Sequence, residues 1–167
     1  MYQKSIFTGT GVAMVTPFDD GRVDFAAIEK IVEHLIEGGI DYLVVLGSTG
    51  ESALLDAEES RAILDSVITC VNKRIPIVAG NFGGNNTLNL CKKIASYDFK
   101  GIDAILSSSP EYIKPSQQGI YDHYMELAKV SSVPIILYNV PSRTQSNMEW
   151  TTTVRLAEAS EKFIGIK

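Results

Sequence analysis

Six short apolar runs recur along this chain, and none of them alternates polar with apolar residues. They are GVAMVTPF from Gly11, DYLVVLG from Asp41, IPIVAGN from Ile75, DAILSSSP from Asp103, VPIILYNVP from Val133 and KFIGIK from Lys162. A strand with one wet face would alternate, so continuous runs of this length suit strands covered on both faces of a parallel sheet. Between the runs the period becomes helical. Ile63, Leu64, Val67, Ile68 and Val71 form one stripe, and Tyr121, Tyr124, Met125 and Ala128 form another. Asp24 is placed as a helix N-cap, as is Asp56 with Glu59 three residues on. The order is therefore six strands joined by five helices. Parallel strands with helical crossovers leave two architectures, an open doubly wound sheet or a (β/α)8 barrel. The 167 residues could complete an open sheet, but a closed barrel typically takes about 250. No linker, low-complexity stretch or charge block divides the chain, so a single domain is expected.

Composition removes several classes of function. With 45% hydrophobic residues the chain can bury a real core. Its net charge of -5, with only Lys92–Lys93 and Lys73–Arg74 as adjacent basic pairs, argues against a nucleic-acid footprint. The start lacks a signal-peptide apolar region, and no run approaches the roughly 20 residues that span a bilayer. Cys70 and Cys91 lie far apart within helical patterns, which predicts reduced core thiols and a cytoplasmic protein. No His/Cys/Asp/Glu cluster suggests a metal, and His34 and His123 sit inside helices as surface or packing residues.

Both architectures put their chemistry at the carboxyl ends of the strands. Thr16 follows the first run, GSTGES the second, Asn81 the third and SSSPEY the fourth. Tyr138 and Asn139 end the fifth, with Arg143 just beyond, and Lys167 ends the sixth. Taken singly each has a plain structural reading: a capped turn, a core tyrosine, a surface arginine, a solvated lysine. Together they fit imine chemistry on a small keto acid. An amine is nucleophilic only when deprotonated, so a Schiff-base lysine must be desolvated or near other cations, and FIGIK supplies apolar neighbours. A phenol and hydroxyls can move protons, and an arginine can grip a carboxylate through two parallel hydrogen bonds.

At this point the motifs GTGVAMVTPF, GSTGES, PSQQGIYDHY, YNVPSRT and FIGIK stand in the order and spacing of a known family. The chain resembles the dihydrodipicolinate synthase family of the class I aldolase superfamily, which also contains N-acetylneuraminate lyase. The resemblance runs over nearly the whole chain. It implies a (β/α)8 TIM barrel whose imine-forming lysine ends the sixth strand. The chain would then be a single partial barrel domain, 1–167, with the first six strands and five helices. Such a fragment would expose edge strands and an open core, and is expected to aggregate or misfold.

Residue by residue, the resemblance gives Lys167 as the nucleophile that forms an imine with pyruvate and Tyr138 as the proton donor and acceptor. Ser48 stands where the synthases usually carry a relay threonine, and Thr49 would hold the pyruvate carboxylate. Tyr112 matches the tyrosine that completes a neighbouring subunit's relay, and Arg143 would bind the carboxylate of L-aspartate 4-semialdehyde. The implied reaction is 4-hydroxy-tetrahydrodipicolinate synthesis in lysine and diaminopimelate biosynthesis, in a homotetramer built as a dimer of dimers. It needs no cofactor beyond the covalent pyruvyl imine.

Two departures from the family pattern carry weight. Serine at position 48 is also the form typical of N-acetylneuraminate lyase, whereas Arg143 and PSQQG are synthase-like. The lyase and other pyruvate-dependent aldolases are therefore the first alternative. A non-catalytic α/β ligand-binding module is the second. Around the family's lysine-inhibitor pocket, Ser52, Ala53 and Asn85 match, but Ala57 replaces a histidine, Asn89 a glutamate and Glu111 a tyrosine.

Overall fold

The computed structural model describes residues 6–167. The chain divides into two compact units: one runs to Asn81 and takes in Gly101–Asp103, and the other comprises Phe82–Lys100 and Ala104–Lys167.

In the first unit β1 (Gly11–Ala13) leads into a small hairpin, β2 (Phe18–Asp19) and β3 (Arg22–Val23), then α1 (Phe25–Glu37), β4 (Tyr42–Val45), α2 (Ala57–Val71) and β5 (Ile77–Ala79). β1 and β5 flank β4 and pair with it in parallel, Gly11 opposite Tyr42 and Val45 opposite Ala79. Both expected caps form. Asp24 Oδ1 accepts from Ala27 N at 2.9 Å, and Asp56 and Glu59 exchange hydrogen bonds in a capping box. The hairpin was not expected, since the sequence reading ran GVAMVTPF together as one strand. Its signal is the Asp20-Gly21 turn between Asp19 and Arg22, with φ of 44° and 74° at the two central residues, the geometry of a two-residue hairpin loop.

The core of this unit follows the expected α2 stripe closely. Ile63, Leu64, Val67 and Val71 are buried against the helix partners and sheet, and Ile68 is half-buried. Cys70 and Cys91 are free thiols, but half-buried ones rather than core residues. Burial pushes both thiols above their ordinary range.

In the second unit α3 (Thr87–Ser96), β6 (Ala104–Ser108), α4 (Gln117–Val130), β7 (Ile135–Tyr138), the short α5 (Pro141–Thr144), α6 (Trp150–Ala159) and β8 (Phe163–Ile166) follow in order. β7 lies between β6 and β8, and both pairings are parallel. Ser108 stands opposite Tyr138, and Leu137 opposite Ile166.

Two expectations need correction here. The buried face of α4 is Ile120, His123, Tyr124 and Leu127, one step round from the expected stripe, which shares only Tyr124 with it. Tyr121 instead lies at the helix margin, where the Arg155 guanidinium stacks 4.3 Å from its ring centroid. The second correction concerns β8. Phe163 is buried, but Gly165, Ile166 and Lys167 are exposed. Among the described residues β8 pairs with β7 alone.

His123 is buried, with Nδ1 hydrogen-bonded to Thr87 Oγ1 at 2.8 Å across α3 and α4. Burial pushes its imidazole down to about 4. The unfolded chain takes up this proton near pH 6.5 and the folded one does not. Stability is therefore full above about pH 6.5 and declines as pH falls toward 4. Urea unfolding is expected to show a loss of about 2 kcal/mol between pH 7 and pH 5. His123→Gln should flatten that dependence; an equal slope in the variant would assign it to other groups.

Candidate active site

In the first unit the polar groups after β4 are presented by a short 3-10 turn, Ser48–Gly50. The chain enters it through Leu46, a fully buried residue held at φ 61°. A left-handed backbone on a bulky side chain stores strain of about 1–3 kcal/mol and persists only where its surroundings enforce it. Those surroundings are visible. Gly80 N donates to Val45 O at 2.7 Å, and a Cβ on Gly80 would stand 2.7 Å from the Gly47 backbone. Thr16 Oγ1, buried beyond β1, donates to Gly50 O at 2.7 Å. The turn is thus pinned between the ends of β1 and β5, leaving Ser48 half-buried and Thr49 exposed.

In the second unit Tyr138 is the last residue of β7 and Lys167 directly follows β8. Their pairing continues past the strand ends. Lys167 N donates to Leu137 O at 2.8 Å, and Asn139 N donates to Lys167 O at 3.0 Å. The two side chains emerge as neighbours, with Lys167 Nζ 5.7 Å from the Tyr138 ring centroid. FIGIK predicts a desolvated lysine; among the described residues Lys167 is exposed, with β7 as the strand beside it.

Arg143 is exposed on α5, a single turn that begins with Pro141 and is closed by Gln145 at φ 57°. Tyr112 lies in the loop between β6 and α4, at φ 66° and 84% exposed. Tyr112 N donates to Thr144 O at 3.0 Å, so its loop is anchored on the turn that carries Arg143. Four of the six candidate residues therefore belong to the second unit, in two pairs: Lys167 with Tyr138, and Tyr112 with the Arg143 turn. Ser48 and Thr49 belong to the first.

Two further residues matter that the sequence marked only as polar groups at strand ends. Thr16 secures the Ser48 turn, as above. Asn139 reaches two segments at once, the end of β8 through its backbone and Asn147–Met148 through its side chain. Among the residues proposed to sense lysine, Asn85 Oδ1 accepts from Glu111 N at 2.8 Å, and Asn89 N is bound by Asn86 in the cap of α3. Among the described residues no group of three or more His, Cys, Asp or Glu is placed to hold a metal ion. No helix among them is long and apolar enough to cross a membrane.

The sequence pattern of the dihydrodipicolinate synthetase family matches residues 6–167. A 4-hydroxy-tetrahydrodipicolinate synthase from Flavobacterium psychrophilum is 48% identical over 162 residues, covering 96% of this chain and 55% of that protein. The crystal structure of the Thermotoga maritima dihydrodipicolinate synthase is similar with a TM-score of 0.93 at 34% identity, over 98% of this chain and 55% of that one. A dihydrodipicolinate synthase from Acinetobacter baumannii, solved with pyruvate, gives a TM-score of 0.89 at 43% identity, over 95% and 54%. The chain spans about half the length of the curated relatives it matches.

Proposed function

The chain belongs to the dihydrodipicolinate synthetase family, with the parallel α/β fold of the first six strands of a (β/α)8 barrel, and from that premise we propose that it serves a Schiff-base aldolase that condenses pyruvate with L-aspartate 4-semialdehyde. The observation that carries the reading is the adjacency of Lys167 and Tyr138 across the β7–β8 ladder, amine 5.7 Å from ring centroid. An amine and a phenol held side by side are what imine formation needs.

The Lys167 amine adds to the ketone carbon of pyruvate, and loss of the oxygen as water with both amine hydrogens leaves a C=N bond where the C=O bond was. Loss of a methyl proton turns the imine into an enamine, whose carbon attacks the aldehyde of the second substrate. That substrate's own amine then displaces Lys167 and closes the ring of 4-hydroxy-tetrahydrodipicolinate, a step toward lysine and diaminopimelate. Tyr138 gives and takes the protons, with the Ser48 hydroxyl in its relay. Thr49 holds the pyruvate carboxylate and Arg143 that of the aldehyde. Tyr112, thrown outward at 84% exposure, completes the relay of a neighbouring subunit in a homotetramer. The pyruvyl imine is the only prosthetic chemistry in this scheme, and the setting is the cytoplasm.

Intact mass after pyruvate and borohydride tests the reading. A reduced pyruvyl adduct mapped to Lys167 is expected; a 167-residue chain that gains no mass is an inactive fragment or a binding module, and the mechanism falls. Ser48 is the one residue that favours a lyase acting on N-acetylneuraminate. Comparing turnover on L-aspartate 4-semialdehyde with cleavage of that sugar acid separates the two.

Regulation is expected to be weak. Asn89 stands where the inhibitor's ammonium would meet a glutamate, and an amide supplies no compensating charge. Sub-millimolar lysine should leave the rate nearly unchanged, and half inhibition at that concentration would overturn this expectation.

A further inference from the structure

Asn139 sits between the two pairs of candidate residues in the second unit, and its hydrogen bonds run to both. Its backbone N–H takes Lys167 O at 3.0 Å, which extends the β7–β8 ladder by one residue. Its side chain pairs with a backbone nine residues on. Oδ1 accepts from Met148 N at 3.0 Å, and Nδ2 donates to Met148 O at 3.3 Å and to Asn147 Oδ1 at 3.0 Å. The primary amide thus copies a strand partner, donor and acceptor together, and closes a loop whose interior is α5 with Arg143.

The far side of that loop is clamped independently. Gln117, the first residue of α4, accepts from Glu149 N at 3.0 Å and from Thr152 Oγ1 at 2.7 Å, and donates to Asn147 O at 2.7 Å. Within the loop, buried Thr144 binds Val140 O and Ser146 O through its hydroxyl. The exposed Arg143 is therefore carried on a turn whose base is tied to the same residue that pins Lys167.

We propose that Asn139 is a positioning residue that sets the place of the Arg143 guanidinium relative to Lys167, and so selects for a carboxylate-bearing aldehyde. This rests on the functional reading above. The side-chain amide is the part that acts, because the backbone bond to Lys167 survives any substitution at this position. Asn139→Ala removes both halves of the amide pairing. Asn139→Asp keeps the acceptor for Met148 N and replaces the donor with an oxygen facing Met148 O and Asn147 Oδ1.

The test is a set of kinetic constants on the full chain and its variants. Asn139→Ala and Asn139→Asp are expected to raise KM for L-aspartate 4-semialdehyde by roughly 10- to 100-fold, since misplacing a positioning group by about 1 Å can cost up to about 100-fold. Trapping of pyruvate on Lys167 should proceed as in the unsubstituted protein. In an Arg143→Ala background the Asn139→Ala effect on KM should vanish, since a residue that acts through Arg143 has nothing left to position. A purely structural role would instead slow pyruvate trapping as well, or add its effect in full to that of Arg143→Ala, and either result overturns the inference. Should Asn139→Ala fail to fold, Asn147→Ala removes one of the three contacts and is expected to show the same selective rise, only smaller. An unsubstituted chain that never traps pyruvate sinks the functional reading itself, and this inference with it.

Discussion

Lys167→Ala is expected to take up no pyruvate under borohydride and to lose turnover by roughly a millionfold, the scale on which removal of a covalent nucleophile acts. Lys167→Arg should fail equally, because a guanidinium stays protonated and offers no lone pair. The structure makes this a clean experiment. Lys167 is held in the ladder through its backbone, N to Leu137 O and O to Asn139 N, and its side chain is exposed. Substitution should leave stability within about 0.5 kcal/mol. Lost labelling with unchanged unfolding would assign the chemistry to the amine. Lys162, half-buried on the same terminal segment, is the internal control. Adduct found there, or labelling that survives in Lys167→Ala, would remove Lys167 from the mechanism.

How far such a site could be read from sequence depended on how local its determinants are. Continuous apolar runs placed all six parallel strands, because burial of a central strand demands apolar residues on both faces. Capping at Asp24 and Asp56 was equally legible, since a cap and its partner lie three residues apart. What failed was non-local. The α4 stripe was taken one step round because Tyr121 and Met125 are apolar enough to read as core beside Ile120 and Leu127, and packing against neighbouring helices chooses between the faces. The six candidate positions came from polar groups at strand ends together with the family resemblance of their motifs. The role of Asn139 did not, because Met148 lies nine residues away with no periodic signal linking the two. The Asp20-Gly21 hairpin is the opposite case, a strong local signal absorbed into a longer apolar run.

Two buried or half-buried tyrosines in the second unit should respond to loss of the hydroxyl in opposite ways. Tyr124 on α4 is fully buried, and its hydroxyl donates to Ser107 O at 2.8 Å. Tyr124→Phe leaves that carbonyl with one partner fewer and should cost about 1 kcal/mol of stability, with kcat unchanged. Tyr138 is half-buried at the open end of β7, beside Lys167. Tyr138→Phe keeps the ring and its contact with the amine, so pyruvate should still be trapped, but proton transfer loses its donor. A fall in kcat of roughly 10²- to 10⁴-fold is expected, the usual contribution of a positioned general acid or base, with little change in unfolding. Equal losses of stability and no selective loss of kcat would make Tyr138 a second structural tyrosine. Lys167 would then need another proton partner, and Tyr112→Phe in the same assay would test whether Tyr112 supplies it.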